Sequence, residues 1–251
     1  MKQIIRKWYQ KLNFLPEYDT SFHQLLCAYD PKPMTVAEYM QTEHDASENF
    51  LMFLYFCEDL QKIYGVLGID DEIFYDTLKD IPLWAGTYYR NHGILGINVT
   101  DWMQNHMQAK LFKLGRLQFC MADRELEVHI PEGEPLDIER CHASFQQAKA
   151  FFAKYFPEFV YDKFTCHSWL LDQNLGKILP EKSNILKFQK LFTPVTSEPS
   201  DAAIRYVFGW EETRETIALR TPESSFARKM QDYLLSGGQL YEVTGERTVC
   251  W

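Results

Sequence analysis

Several features are missing from this 251-residue chain, and each absence excludes a class of function. No run of basic residues breaks the pattern of 26 Lys and Arg against 35 Asp and Glu, a formal charge of −9. Nucleic acid is therefore not an expected partner, because nothing neutralises a row of phosphates; an acidic surface mainly promotes solubility. No long hydrophobic run is present. The most apolar stretch, "FLMFLYF" from Phe50 to Phe56, falls far short of a bilayer span, so no membrane association is expected. The N-terminal "MKQIIRKWYQKLNFLPEY" is basic but has no continuous apolar centre, so it does not read as a signal peptide, and the expected location is cytoplasmic. The six cysteines, at 27, 57, 120, 141, 166 and 250, include no C-x-x-C pair. A structural zinc site is not expected, no metal is assigned, and reduced, buried thiols are the default.

What is present is a well-stocked core, 46% hydrophobic and 15% aromatic, with no internal repeat. The first hundred residues read as helices. "TVAEYMQTEHDASENFLMFLYFCEDLQKIYGVLG" predicts one long helix capped by Thr35 and ended by Gly65 and Gly68. "DDEIFYDTLKD" opens another with an acidic first turn, and Pro82 breaks or kinks it. "WAGTYYRNHG" continues to Gly93, and "TDWMQNHMQAKLF" is capped by Thr100. The character changes at Lys113. "KLGRLQFCM" alternates, with Leu117 and Phe119 on one face and Arg116 and Gln118 on the other. "ELEVHIP" alternates after a short turn, so the two strings predict a hairpin. "ERCHASFQQAKAFFAKYF" predicts a helix with Cys141, Phe145, Ala148 and Phe152 along one stripe. "KFTCHSWLL" reads as a strand, "NILKFQKLF" as a helix, "AAIRYVFGW" as a strand, "SSFARKMQDYLLSGG" as a helix and "QLYEVTGERTVC" as a closing strand or hairpin. The expected class is α/β (α+β): a helical domain over 1–110 and a mixed-sheet domain over 111–251.

"FKLGRLQF", "HIPEGEPL", "CHSWLLDQNLGKILPEKSNILKFQKLF" and "LLSGGQLYEVTG" together resemble a bacterial two-part family. Its members combine a helical acyltransferase N-terminal domain with a GNAT-like C-terminal domain. The resemblance runs over the whole chain and is clearest from Phe112 to Gly245. It implies acyl-coenzyme A as co-substrate and a small-molecule amine or peptide as acceptor. It further implies that a strand over Glu125–Pro131 offers its backbone to the pantetheine, and that the turn over Glu132–Leu136 receives the pyrophosphate at a helix N-terminus. The cofactor contacts so implied are Val128, Ile130, Gly133, Pro135 and Leu136. Asn184 loosely fits an asparagine that contacts coenzyme A, although Ser183 or Asn184 equally suits a helix N-cap. The chain departs from the family pattern in two places. The turn holds Glu132 and Glu134 in place of a basic, glycine-rich signature. Phe188 and Gln189 stand where a proton-donating tyrosine is usual, which puts the general acid in doubt.

Strand alternation groups the polar residues independently of any resemblance. Arg116 and Gln118 share a face, Glu127 and His129 share a face, and Thr165, His167 and Trp169 share a face opposite Cys166 and Ser168. If these strands are neighbours, one sheet face gathers the catalytic candidates Glu127, His129 and His167, with Cys166 nearby, and Arg116, Gln118 and Trp169 as acceptor contacts. Glu127 or His129 would act as the base for an ammonium nucleophile, and backbone N–H groups around Val128 would stabilise an oxyanion. Cross-strand ion pairing of Arg116 with Glu127 is the plain alternative. A thiol hydrolase would require Cys166 to meet a histidine across strands. In the helical half, Trp84, Tyr88, Tyr89 and Trp102 read as packing residues, and His92 and His106 as possible participants. Two functions remain open: an N-acyltransferase, or a non-catalytic protein that binds acyl-coenzyme A or another small ligand.

Overall fold

The computed structural model describes residues 1–30 and 32–249. Contacts divide the chain into two compact units, Met1–Lys113 and Leu114–Trp251.

The first unit is helical: α1 (Lys2–Lys11), α2 (Asp19–Ala28), α3 (Val36–Tyr39), α4 (Ala46–Leu67), α5 (Asp71–Thr77), α6 (Asp80–His92) and α7 (Thr100–Met107). The long helix expected from Thr35 is two helices. Thr35 does cap, with a reciprocal capping box to Glu38, but α3 stops at Tyr39. A second cap, Asp45, accepts from the Glu48 N–H at 2.8 Å and restarts the chain as α4. The intervening "QTEHD" is polar, and His44 lies flat on the Tyr39 ring at 3.8 Å. From Phe50 to Leu54 every residue of α4 is buried, so the helix is covered on all sides over this stretch, while Asp59, Lys62, Ile63 and Val66 leave its last turns exposed on one side. It ends at Gly68 in the left-handed conformation (φ 72°). Pro82 neither breaks nor kinks a helix. It lies in the first turn of α6, where the missing N–H costs nothing. Thr100 is the first residue of α7 rather than its cap.

A six-stranded sheet follows: β1 (Leu111–Leu114), which spans the boundary between the units, and, within the second unit, β2 (Leu117–Ala122), β3 (Glu125–His129), β4 (Lys163–Ser168), β5 (Thr193–Pro199) and β6 (Tyr241–Thr248). The strand order is β1-β2-β3-β4-β6-β5. Four helices accompany it: α8 (Ile138–Tyr155), α9 (Asn184–Gln189), α10 (Ala202–Phe208) and α11 (Ser225–Leu235). The β2–β3, β4–β6 and β5–β6 pairs are antiparallel, and β3–β4 is parallel. One face of this sheet is the core. The stripe of α8 lays Phe145 edge-on against Phe119 (5.7 Å) and Phe164 (4.9 Å). A second cluster joins Trp169, Ala203, Ile204, Met230 and Leu234.

Two elements differ from expectation. "AAIRYVFGW" is α10, not a strand: Ala202, Ala203 and Ile204 are buried in succession while Arg205 and Tyr206 turn outward. The strand that completes the sheet is instead "TPVTSEP", exposed along its length and carrying two prolines. Such a sequence fits only an edge, where a missing N–H leaves no ladder bond unmade. Cys57, Cys120, Cys141 and Cys166 are buried free thiols, whereas Cys27 is exposed; Cys250, read as the end of the last strand, lies outside the described residues.

Candidate active site

The parallel pairing of β3 with β4 covers only Glu125–Glu127 against Lys163–Thr165. Both strands then continue, β3 to His129 and β4 to Ser168, each still paired to its outer neighbour: His129 with Gln118, and Ser168 with Val243. The sheet therefore opens between two strands in its interior. Backbone groups beyond Glu127 and Thr165 have no ladder partner across that gap, and such groups seek hydrogen bonds elsewhere.

Register fixes what faces this opening. Paired residues project to the same side, so one face carries Gln118, Glu127, His129, Thr165, His167, Glu242, Thr244 and Glu246. His167 is half exposed; its Nδ1 lies 2.9 Å from Thr244 Oγ1 and its Nε2 lies 3.9 Å from Glu242 Oε1. Glu242 is fixed in turn by Ser200, whose hydroxyl donates to Oε2 at 2.6 Å. His129 Nε2 approaches Glu127 Oε2 at 3.7 Å, and the imidazole beside it holds the Glu127 carboxyl below its ordinary range against a smaller, opposing desolvation effect. Lys163 bridges Glu246 (2.6 Å) and Glu125 (3.3 Å) at the closed end. Gln118, Glu127, His129 and His167 thus share a face, and Glu242, Thr244 and Ser200 join them. Sequence reading missed these last three because register, not spacing, brings them in. His167 and Thr244 are 77 residues apart.

Three expected participants are elsewhere. Arg116 is not in a strand: it follows Gly115 (φ 67°) in the turn between β1 and β2. It is 3% exposed, donates from Nε to the Pro135 carbonyl (3.0 Å) and from Nη2 to the Glu134 carbonyl (2.8 Å), and forms no ion pair with Glu127. Desolvation pulls its guanidinium below the ordinary value, with Cys141 and Glu134 opposing. Nη1 is also shielded and has no hydrogen-bond partner among the described residues. Cys166 faces the covered side, where burial pushes its thiol up to about 12. A thiolate hydrolase with His167 or His129 is excluded, since the partners are on opposite faces. Trp169 begins a 3-10 helix rather than ending a strand, and it belongs to the second core cluster.

Past β3, the chain turns at Gly133 (φ 96°), a conformation that suits glycine, and no atom approaches the space a Cβ would fill. Leu136 is buried, and Asp137 caps α8 by accepting from the Arg140 N–H at 3.0 Å. The Glu134 carboxylate is paired with the Arg140 guanidinium, which offsets the negative charge of the turn. Asn184 is the first residue of α9; the cap is Ser183, whose hydroxyl accepts from Ile185 at 3.2 Å. His106, in the first unit, is fully buried with Nε2 on Asp80 (3.0 Å) and Nδ1 on the Trp102 carbonyl (3.2 Å). A cavity of about 390 Å³ lies among Leu171, Leu186, Gln189, Phe192, Pro194 and Gly245 and includes none of the residues of the polar face. Among the described residues no group of three or more His, Cys, Asp or Glu is arranged to hold a metal ion, and no helix is long and apolar enough to cross a membrane.

Residues 111–246 match the family model of the GNAT-like C-terminal domain, and residues 6–109 match that of the N-acyltransferase N-terminal domain. The chain belongs to the GNAT-like C-terminal domain family. No curated protein sequence matches this GNAT-like chain. Among solved structures it is similar to an acyltransferase in complex with decanoyl-CoA, at 28% identity and a TM-score of 0.73 over 80% of this chain and 66% of that one. It is also similar to an acyltransferase in complex with decanoyl-CoA and teicoplanin (27%, TM-score 0.72, 80% and 65%). A third, in complex with CoA and 10C-teicoplanin, matches at 26% and a TM-score of 0.73 over 82% and 67%. The chain spans about two thirds of the length of these relatives.

Proposed function

We propose that this chain is an N-acyltransferase that moves an acyl group from acyl-coenzyme A to an amine. The observation that carries the reading is the opening between β3 and β4, bordered by a polar face, in a chain similar to an acyltransferase in complex with decanoyl-CoA. The edge of β3 from Val128 to Ile130 offers backbone groups to the pantetheine, much as a missing strand would. The turn through Gly133, Pro135 and Leu136 leads to α8, whose N-terminus favours the pyrophosphate. Arg116 shapes that turn through two carbonyls, and the Arg140–Glu134 pair keeps it from repelling an anion. Asn184 is retained as a contact at the start of α9.

In the reaction the acceptor must lose a proton before its nitrogen attacks. His167 is the best-placed base: it is half exposed, on the open side of β4, with Thr244 orienting one nitrogen and Glu242 beside the other. Glu127 and His129 form the opposing wall, and Gln118 lies beside His129. The amine nitrogen bonds to the thioester carbon, the carbon–sulfur bond breaks, and the leaving thiolate takes up a proton equivalent to the one the nitrogen sheds as it becomes an amide. Backbone N–H groups near Val128 are suited to hold the transient oxyanion. Teicoplanin in the related structures supports a small-molecule or peptide acceptor, and dependence on acyl-CoA fits a cytoplasmic enzyme.

Calorimetry and thermal shift with coenzyme A, acetyl-CoA and decanoyl-CoA test this. A ligand at 100 times its Kd should add about 2.7 kcal/mol of stability. Gly133→Val should weaken binding, and Glu132→Gln should strengthen it at low salt. Absence of any coenzyme A binding at low salt overturns the proposal.

A further inference from the structure

The two strands that part at the opening carry a histidine at equivalent places. The last rung of the β3–β4 ladder joins Glu127 to Thr165. His129 and His167 each lie two residues beyond it, on parallel strands and on the same face, so they stand opposite one another across the gap. Paired strands lie about 4.7–4.9 Å apart. Past the last rung the separation is wider, and a thioester lying along the opening has an imidazole on either side.

Transfer needs two proton movements: the amine sheds one, and the alkyl thiolate, a poor leaving group, takes one up. The resemblance implies a tyrosine for the second step where this chain has Phe188 and Gln189. Phe188 is fully buried, and Gln189 spends its amide donors on the carbonyls of Leu170 (2.9 Å) and Asp172 (2.8 Å). On the polar face of β4, Lys163 and Thr165 are committed to carboxylates at the closed end. The two histidines are left, and their surroundings differ. His167 is 51% exposed at its side chain, where an acceptor can reach it. His129 is 31% exposed, lies on the β3 edge that offers its backbone to the pantetheine, and has Glu127 Oε2 3.7 Å from Nε2. That carboxyl is held below its ordinary range by the imidazole, so a negative charge faces the ring and calls for a hydrogen on it.

We infer that His129 is the general acid of the transfer, working across the gap from the base His167. His167 takes a proton from the acceptor nitrogen, and the His129 imidazolium gives one to the sulfur as the carbon–sulfur bond breaks. Glu127 positions the charged ring. One proton is taken and one given per turnover, and exchange with solvent resets both partly exposed rings. This rests on the acyl-transfer reading and names the acid missing from its usual place.

The test compares two donors that lack the nucleotide: S-decanoyl-N-acetylcysteamine, whose alkyl thiolate needs a proton to leave, and the 4-nitrothiophenyl ester of decanoic acid, whose aryl thiolate does not. Thiol release is followed with hexylamine, benzylamine or glucosamine as acceptor, in variants whose fold is checked by circular dichroism. His129→Gln should lower kcat/KM about 10²-fold or more with the alkyl donor and less than about threefold with the aryl donor. His167→Gln should lower both alike. An equal loss with both donors in His129→Gln, or no loss, overturns the acid while acyl transfer stands; no release from either donor by the wild type with any of the three amines overturns both. Should His129→Gln not fold, the wild type decides. The ring ¹⁵N signals of His129 should move with coenzyme A and stay in place with desulfo-coenzyme A, in which hydrogen replaces the thiol. The same response to both overturns the assignment.

Discussion

Two histidine–carboxylate pairs, one in each unit, have the same chemistry and opposite fates. His106 is fully buried against Asp80, both ring nitrogens are engaged by acceptors, and Trp102 donates to the same carboxylate oxygen at 3.1 Å. His167 is half exposed, has Thr244 on one nitrogen and keeps Glu242 at a looser 3.9 Å on the other. The first pair has no site for a reacting atom, so its role is to order the core. The second has an accessible nitrogen at an opening in the sheet. A histidine beside an acid is thus not a signal in itself; what separates structure from chemistry is whether one nitrogen is accessible.

The comparison is sharpest under crossed substitution. His167→Gln should lower kcat about 10²–10⁴-fold, the ordinary contribution of a general base, and leave the thermal midpoint nearly unchanged. A rate within threefold of wild type in a thiol-release assay would remove His167 from the chemistry. Asp80→Asn should do the reverse, costing about 3–5 kcal/mol in urea unfolding because the fully buried His106 Nε2 and Trp102 N–H lose their shared carboxylate partner, with per-molecule activity of the folded fraction preserved. Arg116→Met comes next. Two carbonyls of the 131–137 turn lose charge-assisted donors worth about 1.5–3 kcal/mol each before relaxation, so coenzyme A affinity should weaken more than stability does; affinity unchanged by calorimetry would detach the turn from binding.

The smallest effect concerns Glu127, whose carboxyl His129 holds below the ordinary range. A carboxylate with a lowered folded pKa adds stability above its unfolded value and loses it as pH falls through the folded one. The pair is partly exposed, so the contribution is about 0.2–1 kcal/mol. Thermal midpoints of wild type and Glu127→Gln should differ by a constant amount above the carboxylate range and converge below it. A gap that widens on acidification contradicts the pairing.

Much of this was legible from residues alone. The β2–β3 hairpin followed from alternation, and α8 from its stripe and Asp137. The likeness of "LGRLQF" and "CHSWLLD" to an acyltransferase family agrees with the matches over residues 6–109 and 111–246. The failures have physical causes. Alternation runs unbroken through Gly115, so the string by itself places Arg116 in a strand; the positive φ at Gly115 turns the chain there. Ile204, Tyr206 and Phe208 mimic a two-residue period, which disguised α10. The edge strand β5 has no apolar alternation because none of it is buried. Glu242 and Ser200 could not be found from spacing, since a register between distant strands brings them to His167.

The brevity of the β3–β4 ladder also bears on how the protein holds together. Three rungs join β2–β3 to the antiparallel β4–β6–β5 block, so that seam is the place where the sheet parts with least effort. A ligand lying along the gap and bonding to both edges would act as a staple. Slowed amide exchange on both β3 and β4 when coenzyme A is added, spreading outward from the seam into the paired strands, would be its signature.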